Sequence, residues 1–405
     1  MKYGRIVGWG KCAPAKILTN FDLEKMVDTT DEWIRARTGI RQRHVASDGE
    51  TTATMSAAAG RAALAQAELE PKELDLIIVA TSSPDYLVPA ASSQVQDLLG
   101  AKCGAFQLGA GCTGFVYGLA TAQAFISTGV HKNILVVGAE TISRNVNWKD
   151  RETCVLFGDG AGAVIVQVCD EPTGVLSFVL GSDGSGAEHL GVNIGAHAVM
   201  TPAALERGDH YLHMNGREVF KFATRVMGQA ALEAINRAGM SLADIDLLIP
   251  HQANLRIIEL AARHLNLPMD KVLVNIQNYG NTSAASIPIA LVEAVEAGRI
   301  KAGDTLCLVG FGAGLTWAAA VVRWGVSERP FAMSSMFAPV RRVRDRAGVT
   351  LRMAQSQVAM QTLGARRALQ KGTARAVEAV KSKASLALLP LYTRLDKRYT
   401  RNKRE

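Results

Sequence analysis

The chain has 405 residues, of which 48% are hydrophobic, and its formal net charge is +8. This is the composition of a globular protein, and the length is sufficient for two units that each bury a core. The six cysteines form no CxxC pair, which argues against a zinc knuckle and a disulfide framework. The N-terminus lacks the apolar core of a signal peptide and no apolar run is long enough to span a membrane, so we expect a cytoplasmic protein.

Three segments of the first half of the chain recur, in the same order, in the second half. Each copy has an apolar strand after a short acidic lead, then a helix of small residues that follows Gly-X-Thr, then another buried strand. The pairs are 73–83 with 244–254, 111–129 with 280–298, and 132–140 with 304–314. The repetition predicts two copies of one α/β unit with the small-residue helices at the centre. The alternative is an α/β core without duplication.

The segment GAGCTGFVYG (109–118), at the start of the first small-residue helix, fits two chemistries. Its glycines match the GxGxxG fingerprint of a turn that binds a dinucleotide, and Glu140 ends the next strand, where a ribose-binding acid would lie. Cys112, however, has no role in phosphate binding. At the beginning of a helix, the backbone dipole is expected to lower the pKa of this thiol and make it a nucleophile.

Two polar residues in the second half are candidate partners for this thiol. His251 follows the strand in IPHQANLRII (249–258), and Asn281 opens the second small-residue helix in QNYGNTSAAS (277–286). Taken alone, His251 is more simply a structural residue and Asn281 a helix cap. Because they stand at equivalent ends of the duplicated units, we expect them to converge with Cys112 on one site. We therefore prefer the nucleophilic interpretation to a nicotinamide-dependent enzyme.

Four stretches resemble the β-ketoacyl-acyl-carrier-protein synthase III family: GAGCTGFVYGLATAQ, PHQANLRII, NYGNTSAAS and GFGAGLTWAAAVVRW. The resemblance extends to DTTDEWIRARTGIRQRH (28–44) and FGDGAGAVIV (157–166), and it runs to about residue 326. It implies a thiolase-like fold, in which two duplicated halves form a layered α/β/α/β/α core, and an acyltransferase without cofactor or metal. We expect the stretch GDGAG (158–162) to form a tight turn between the apolar strands CVLF and AVIV, and not a phosphate loop.

The resemblance also implies a reaction, a decarboxylative Claisen condensation with a ping-pong mechanism. An acyl-coenzyme A (acyl-CoA) starter would acylate Cys112, and malonyl-acyl carrier protein (malonyl-ACP) would then extend it to a 3-oxoacyl-ACP, which initiates fatty acid synthesis. His251 and Asn281 are expected to donate hydrogen bonds to the enolate that decarboxylation leaves. The backbone N–H groups of Cys112 and Ala313 would form a second oxyanion hole. The alternatives are a relative with another CoA or carrier substrate in secondary metabolism, and a non-catalytic scaffold that binds the carrier protein.

Further positions match substrate-contacting residues of the family. Those for CoA and its pantetheine arm are Trp33, Arg37, Arg151, Gly216, Ala253 and Asn254, with Arg217 where some relatives carry Asn. Those for docking of the carrier protein are Lys221, Arg256 and Arg263. Val88 corresponds to a position at which the partner subunit of a homodimer closes the acyl pocket. Without the family, Trp33 would be a half-buried helix anchor and the basic residues solvated surface charge.

The charge is uneven along the chain. Residues 327–405 contain 18 basic and 5 acidic residues, a net charge of +13, which leaves −5 for residues 1–326. We expect three domains: 1–172 with the nucleophile, 173–326 with the histidine and asparagine, and 327–405 as a helical or disordered basic tail. The basic amphipathic composition of this tail predicts binding to an anionic membrane surface or an acidic partner, and a tail without function is the alternative. No nucleic-acid partner is expected, because no aromatic stacking pattern accompanies the charge.

Overall fold

The computed structural model describes residues 2–195 and 200–325, and its strands and helices alternate along the chain. The strands are β1 Tyr3–Cys12, β2 Ile17–Thr19, β3 Gln42–His44, β4 Leu76–Ala80, β5 Gly104–Leu108, β6 Asn133–Glu140, β7 Gly160–Cys169, β8 Gly174–Ser182, β9 Leu190–Val192, β10 Leu212–Met214, β11 Leu247–Pro250, β12 Thr305–Gly312 and β13 Thr316–Arg323. The α-helices are α1 Asn20–Leu23, α2 Asp31–Thr38, α3 Thr52–Ala67, α4 Ala91–Leu99, α5 Gly114–Ser127, α6 Arg151–Cys154, α7 Pro202–Arg207, α8 Gly216–Arg237, α9 Leu255–His264, α10 Ile276–Tyr279 and α11 Ser286–Glu296.

Two sheets of matching topology form the framework of the fold. The first sheet has the order β1-β7-β6-β4-β5, and the second has the order β8-β13-β12-β11. In the first sheet β6 is parallel to β4 and antiparallel to β7, and in the second β12 is parallel to β11 and antiparallel to β13. Strand order and strand direction are therefore repeated, and the predicted duplication is confirmed. Strand β5 is an addition at the edge of the first sheet.

Helices α5 and α11 lie between the two sheets and contact both of them. Their positions depend on glycines that let helix and strand backbones approach closely. A Cβ added to Gly162 of β7 would lie 2.7 Å from the backbone nitrogen of Ile289 in α11. A Cβ added to Gly118 of α5 would lie 2.8 Å from Cγ1 of Val136. Both distances are shorter than real Cβ contacts, so a larger residue at either position would push the layers apart. The contacts with both sheets confirm the predicted central position of these helices.

The remaining long helices cover the outer faces of the sheets. Helices α3 and α4 pack on the first sheet and α8 packs on the second, while α9 packs against α8 and α2. Thr51 begins α3 with a capping box, and Asn215 and Asn254 cap α8 and α9 through their side-chain oxygens. Apolar clusters fill the spaces between the layers, and each fully buried aliphatic side chain contributes about 1.5–3 kcal/mol to stability. The resulting sequence of layers is the predicted α/β/α/β/α arrangement.

Residues 158–162 do not form the predicted tight turn between two strands. The preceding CVLF stretch holds the end of α6 and a turn, and its Phe157 makes only an isolated bridge to Asn281. Gly160 and Gly162 already belong to β7. These glycines are needed because α11 packs directly on the strand, so that a Cβ on Gly160 would lie 2.9 Å from Cδ1 of Ile289.

The predicted domain boundary between residues 172 and 173 falls between β7 and β8. Residues 327–405, and with them the predicted basic tail, lie outside the described residues. Within 2–195 and 200–325, no helix combines the length and the apolar character needed to cross a lipid bilayer.

Candidate active site

Cys112 lies in a 3-10 turn, Gly111–Thr113, that leads directly into α5. Its side chain is buried, and the end of β12 packs against its backbone. A Cβ added to Gly312 would lie 2.5 Å from the nitrogen of Cys112, and one added to Gly111 would lie 2.8 Å from the nitrogen of Ala313. Gly111 also has φ +53°, in the left-handed region that favours glycine. The two glycines therefore bring the turn and the strand together around the thiol.

The same packing brings the second half of the duplicated fold to Cys112. The 3-10 turn Ser283–Ala285, which leads into α11, contacts the turn that holds Cys112. A Cβ added to Gly310 of β12 would lie 3.3 Å from Cβ of His251, and Gly310 is two residues from the Gly312 that touches Cys112. Cys112, His251 and the Asn281 segment thus converge at the ends of central elements.

His251 directly follows β11, and its backbone N–H donates to Val309 O at 2.8 Å. Its ring is fully buried, with Nδ1 2.6 Å from Ser286 Oγ, and it contacts the ring of Phe311 edge-on. Burial lowers the pKa of His251 to about 3, so the imidazole is neutral at physiological pH. Within the described residues, Nε2 is buried without a hydrogen-bond partner. A buried nitrogen of this kind is rare in proteins and is suited to a substrate oxygen.

Asn281 is fixed at both its backbone and its side chain. Its N–H donates to Leu156 O at 2.8 Å, and its Oδ1 accepts from the N–H of Ser283 at 2.9 Å. Because Oδ1 is held by a backbone donor, the orientation of the amide is set and Nδ2 is the end that donates. Asn281 precedes the turn into α11, and its Oδ1 makes the hydrogen bond that a helix cap would make. Its Nδ2 is a further donor that capping does not use.

Burial raises the pKa of the Cys112 thiol to about 12. A hydrogen bond with Ser283 and the N–H groups of Cys112 and Ala313 act in the opposite direction, while the charge of Glu140 adds to the increase. The expectation that the helix N-terminus gives this thiol a low pKa is therefore wrong, because removal from water outweighs the backbone groups. The N–H groups of Cys112 and Ala313 belong to the turn and the strand end that pack closely together here, and their role as an oxyanion hole stays a prediction.

A cavity of about 890 Å³ opens beside this site. It is lined by Trp33, Arg37, Thr38, Arg151, Glu152, Val155, Leu156, Glu188, His213, Met214, Asn215, Gly216, Arg217, Phe220, Asn254 and Arg256. Leu156 in its wall is the residue whose carbonyl accepts the N–H of Asn281, so the cavity borders the buried site.

Two guanidinium groups lie close to the indole ring of Trp33 in the wall of this cavity. The Cζ atoms of Arg37 and Arg151 are 5.2 Å and 5.0 Å from the centre of the indole ring. Flat cations beside an aromatic face form a surface on which a planar ring can stack. A tryptophan that only anchored α2 would not need two guanidinium groups beside its ring or a place in the cavity wall.

Of the other residues predicted to contact substrate or carrier protein, some line the cavity and some do not. Gly216 and Asn254 line the cavity, whereas Ala253 is buried behind it. The side chain of Asn254 caps α9 and donates to Arg37 O at 3.0 Å, so it holds two walls of the cavity together. Arg256 lines the cavity, and Lys221, which is paired with Glu218, and Arg263 are exposed on α8 and α9 outside it. Val88 is 86% exposed and lies far outside the buried core.

Three residues of the site were not predicted from the sequence for the role that the structure gives them. Ser283 contacts Cys112, Ser286 contacts His251, and Glu140 accepts a hydrogen bond from Ser283 at 3.0 Å. The sequence suggests for Glu140 only the role of a ribose-binding acid. It is fully buried and already holds Thr81, Ser82 and Ser83, so it is not available to a ribose hydroxyl. The sequence hint was present in the two serines of GNTSAAS, which stand one turn of helix apart.

No group of acidic, histidine and cysteine side chains that could hold a metal ion occurs in the part of the chain that the structure describes. The donors around Cys112 are instead hydroxyl, amide and imidazole groups. Such an arrangement can hold a thiol for acylation, stabilise the oxyanions of a tetrahedral intermediate and of an enolate, and exclude water.

Comparisons with known proteins agree with this geometry. The family described as 3-oxoacyl-[acyl-carrier-protein (ACP)] synthase III matches residues 106–184, and its C-terminal counterpart matches residues 235–324. A β-ketoacyl-[acyl-carrier-protein] synthase III of Roseiflexus sp. (strain RS-1) is 53% identical over 324 residues, which are 80% of this chain and 98% of the relative. The crystal structure of 3-oxoacyl-[acyl-carrier-protein] synthase III from Aquifex aeolicus VF5 is 47% identical, with a TM-score of 0.74 over 79% of this chain and 99% of the other. The priming β-ketosynthase from the R1128 polyketide pathway is 34% identical, with a TM-score of 0.75 over 80% of this chain and 97% of the other.

Proposed function

Because the chain belongs to the β-ketoacyl-acyl-carrier-protein synthase III family, we propose that Cys112, His251 and Asn281 carry out its reaction. The protein is an acyltransferase of fatty acid synthesis that condenses an acyl-CoA starter with malonyl-ACP. Carbon dioxide is released and a 3-oxoacyl-ACP is formed. The observation that carries the assignment of residues is the buried, unpartnered Nε2 of His251, in a site where the Asn281 amide is also held as a donor.

The first half-reaction is acylation of Cys112. Its sulfur attacks the thioester carbonyl of the acyl-CoA, a tetrahedral intermediate forms, and CoA leaves as the new thioester is made. The N–H groups of Cys112 and Ala313, which lie where the Cys112 turn and the end of β12 approach closely, stabilise the oxyanion of that intermediate. Deep burial keeps water away from the acyl-enzyme, which would otherwise hydrolyse.

The second half-reaction begins with loss of carbon dioxide from malonyl-ACP. The enolate oxygen that results accepts hydrogen bonds from His251 Nε2 and Asn281 Nδ2, each worth about 3 kcal/mol in comparable oxyanion holes. Because burial keeps His251 neutral, it acts as a hydrogen-bond donor and not as a charged acid. The enolate carbon then attacks the acyl-Cys112 carbonyl and expels the Cys112 thiolate, which takes up one proton from solvent to restore the thiol.

The cavity beside the site is the proposed binding site for CoA. The adenine would stack on Trp33 between the guanidinium groups of Arg37 and Arg151, whose positive charges also suit the phosphates. The pantetheine arm would pass Gly216 and Asn254 toward Leu156 and the thiol.

Basic residues at and beside the mouth of the cavity are the proposed docking surface for the acidic carrier protein. Arg256 lines the cavity itself, and Lys221 and Arg263 are exposed on the two helices next to it. A carrier protein held here by opposite charge would deliver its pantetheine arm through the same opening that admits CoA.

A homodimer is the proposed assembly. Strand β5 is an edge strand of the first sheet, and an edge strand offers unpaired backbone groups to another strand. The nearby loop exposes three consecutive apolar side chains, with Tyr86 60%, Leu87 89% and Val88 86% exposed. A two-fold partner that pairs with β5 would bury this loop, and Val88 could then reach the partner's acyl pocket.

The basic tail, residues 327–405, is proposed to hold the enzyme at an anionic membrane surface. It begins after residue 324, where the C-terminal family match ends, and it carries a net charge of +13. A cytoplasmic location is proposed with it, since all six cysteines are free.

The assignment of residues is tested by separating the two half-reactions. His251→Ala and Asn281→Ala should still form the acyl-enzyme with acyl-CoA but should lose about 10²-fold or more in decarboxylation of malonyl-ACP, because each removes one enolate donor. His131→Ala, a surface histidine that packs on Phe125, is the control and should match the unmodified enzyme in both steps. Condensation at the unmodified rate by either variant would show that the residue is structural.

A further inference from the structure

Glu140, at the end of β6, is a fully buried acid that the condensation described above does not use. Its carboxylate accepts hydrogen bonds from the N–H of Ser82 at 3.1 Å, from the hydroxyl of Thr81 at 3.2 Å and from the hydroxyl of Ser83. A fourth hydrogen bond comes from Ser283 Oγ, 3.0 Å from Oε1. The first three donors belong to the segment after β4 and hold the carboxylate in place. The fourth belongs to the turn that contacts Cys112.

Ser283 lies between this carboxylate and the thiol, because its hydroxyl donates to Glu140 and the turn that it begins contacts the turn that holds Cys112. A serine hydroxyl has one hydrogen and can donate it to only one of its two neighbours. While Glu140 is ionised, Ser283 donates to Glu140 and must accept from the thiol of Cys112. If Cys112 is a thiolate, Ser283 donates to the sulfur and accepts from the protonated carboxyl group. Each arrangement satisfies all three groups, and a transfer of two protons interconverts them.

We propose that Glu140 and Ser283 form a proton relay that takes the proton of Cys112 as the thiol attacks the acyl thioester; this rests on the nucleophilic role proposed for Cys112. The S–H bond of Cys112 breaks as its proton moves to Ser283 Oγ, and the proton of Ser283 moves to Glu140. The sulfur forms a bond to the carbonyl carbon, and the bond from that carbon to the sulfur of CoA then breaks. Glu140 returns the proton through Ser283 to the departing CoA thiolate, which leaves as the thiol.

The relay solves an electrostatic problem of this site. A thiolate formed by loss of a proton to water would stand beside an ionised Glu140, and two like charges in a buried site repel strongly. When the proton passes to Glu140, the site keeps one negative charge, which moves from oxygen to sulfur. A relay and a simple charge effect therefore predict opposite results when Glu140 is neutralised.

The test measures single-turnover acylation of Cys112 by acetyl-CoA as a function of pH, with intact-protein mass spectrometry. The titratable groups that face Cys112 are Glu140 and His251, and His251 is already neutral above pH 5. In the unmodified enzyme the rate should be nearly independent of pH wherever Glu140 is ionised, and it should decrease as the pH falls through the pKa of Glu140, which burial raises. In Glu140→Gln the rate at pH 7 should fall by roughly 10²-fold and rise about tenfold per pH unit, because only thiolate formed by solvent base then reacts.

Ser283→Ala breaks the connection and leaves the carboxylate in place, so it should show the same steep pH dependence. This variant decides the question if Glu140→Gln does not fold. Asp159→Asn is the matched control, because Asp159 is also fully buried and bonded to a serine, Ser143, and should keep the flat profile of the unmodified enzyme.

Acylation by Glu140→Gln at an equal or higher rate at pH 7 would overturn the relay and show that Glu140 acts only as an opposing charge. A flat profile in folded Ser283→Ala would overturn it as well. An acyl group that maps to a residue other than Cys112 in the unmodified enzyme would instead overturn the proposed function itself.

Discussion

His251 can donate to an enolate only if its one ring hydrogen is on Nε2, and Ser286 decides where that hydrogen lies. Ser286 Oγ is 2.6 Å from Nδ1 and accepts from the N–H of Gln252 at 3.5 Å. With the ring hydrogen on Nε2, Nδ1 can only accept, so the role proposed for His251 requires Ser286 to direct its hydroxyl hydrogen to Nδ1.

Replacement of Ser286 by alanine should therefore slow condensation without affecting acylation of Cys112. The loss of one hydrogen bond, about 0.5–1.5 kcal/mol, corresponds to a decrease of up to about tenfold in the rate of malonyl-ACP decarboxylation. Ser286→Thr keeps the hydroxyl and should recover most of the rate. The measurement is carbon dioxide release from malonyl-ACP, with acyl-enzyme formation measured in parallel; full activity of Ser286→Ala would contradict the assigned tautomer.

For single residues, the sequence indicates the groups that are proposed to react but not the residues that hold them in place. Cys112, His251 and Asn281 are recognisable because each stands at a strand end or helix start within a repeated pattern. Glu140 and Ser283 are 143 positions apart, and nothing local marks the hydrogen bond between them. The pKa of Cys112 was mispredicted for the same reason, since burial is produced by distant segments.

Among the elements, the central helices depend on glycines in the strands and turns that face them. Gly138 of β6 is one of these positions, because a Cβ there would lie 2.2 Å from the carbonyl oxygen of Ala284. Ala284 belongs to the turn that carries Ser283 into the site. A change at Gly138 should therefore disturb both the packing of the layers and the position of Ser283.

Gly138→Ala should lower the free energy of unfolding by roughly 1–3 kcal/mol, as overpacking of a filled core does. The control is Gly184→Ala, where an added Cβ meets nothing within 4 Å and the backbone is not in the left-handed region. Chemical denaturation of both variants measures the difference. Equal stability of the two variants would show that the close approach at Gly138 is not needed.

Most of the elements could be predicted from the sequence, because their apolar runs and small-residue helices recur at matching positions in both halves. The turn predicted at GDGAG was wrong. Glycine-rich segments often form turns, but in this segment the glycines of β7 make room for α11, a contact that local sequence does not reveal.

For the whole molecule, the uneven charge separates a slightly acidic enzyme from a strongly basic tail. Residues 1–326 carry −5 and residues 327–405 carry +13. The last described strand, β13, ends at Arg323 with its neighbours in the second sheet already paired. The fold of the described residues is therefore complete before the tail begins, and the boundary at residue 326 is a prediction that truncation tests.

Deletion of residues 327–405 should leave acylation and condensation intact but abolish binding to anionic vesicles. Each basic residue near an anionic surface contributes about 1 kcal/mol, and salt weakens this attraction. The measurement is co-sedimentation of the full chain and of residues 1–326 with anionic and neutral vesicles. Equal binding by both proteins, or binding that salt does not weaken, would contradict the membrane proposal, and loss of activity on truncation would show that the boundary is misplaced.

The central claim is that Cys112 carries the acyl group, and intact-protein mass spectrometry followed by peptide mapping tests it most directly. After incubation with acetyl-CoA or longer acyl-CoA thioesters, the full-length enzyme should gain the mass of one acyl group, located on Cys112. Cys112→Ala should gain none, whereas Cys103→Ala, which removes a partly exposed cysteine, should gain one. An acyl group on Cys103 or Cys154, or an unchanged adduct in Cys112→Ala, would contradict the account.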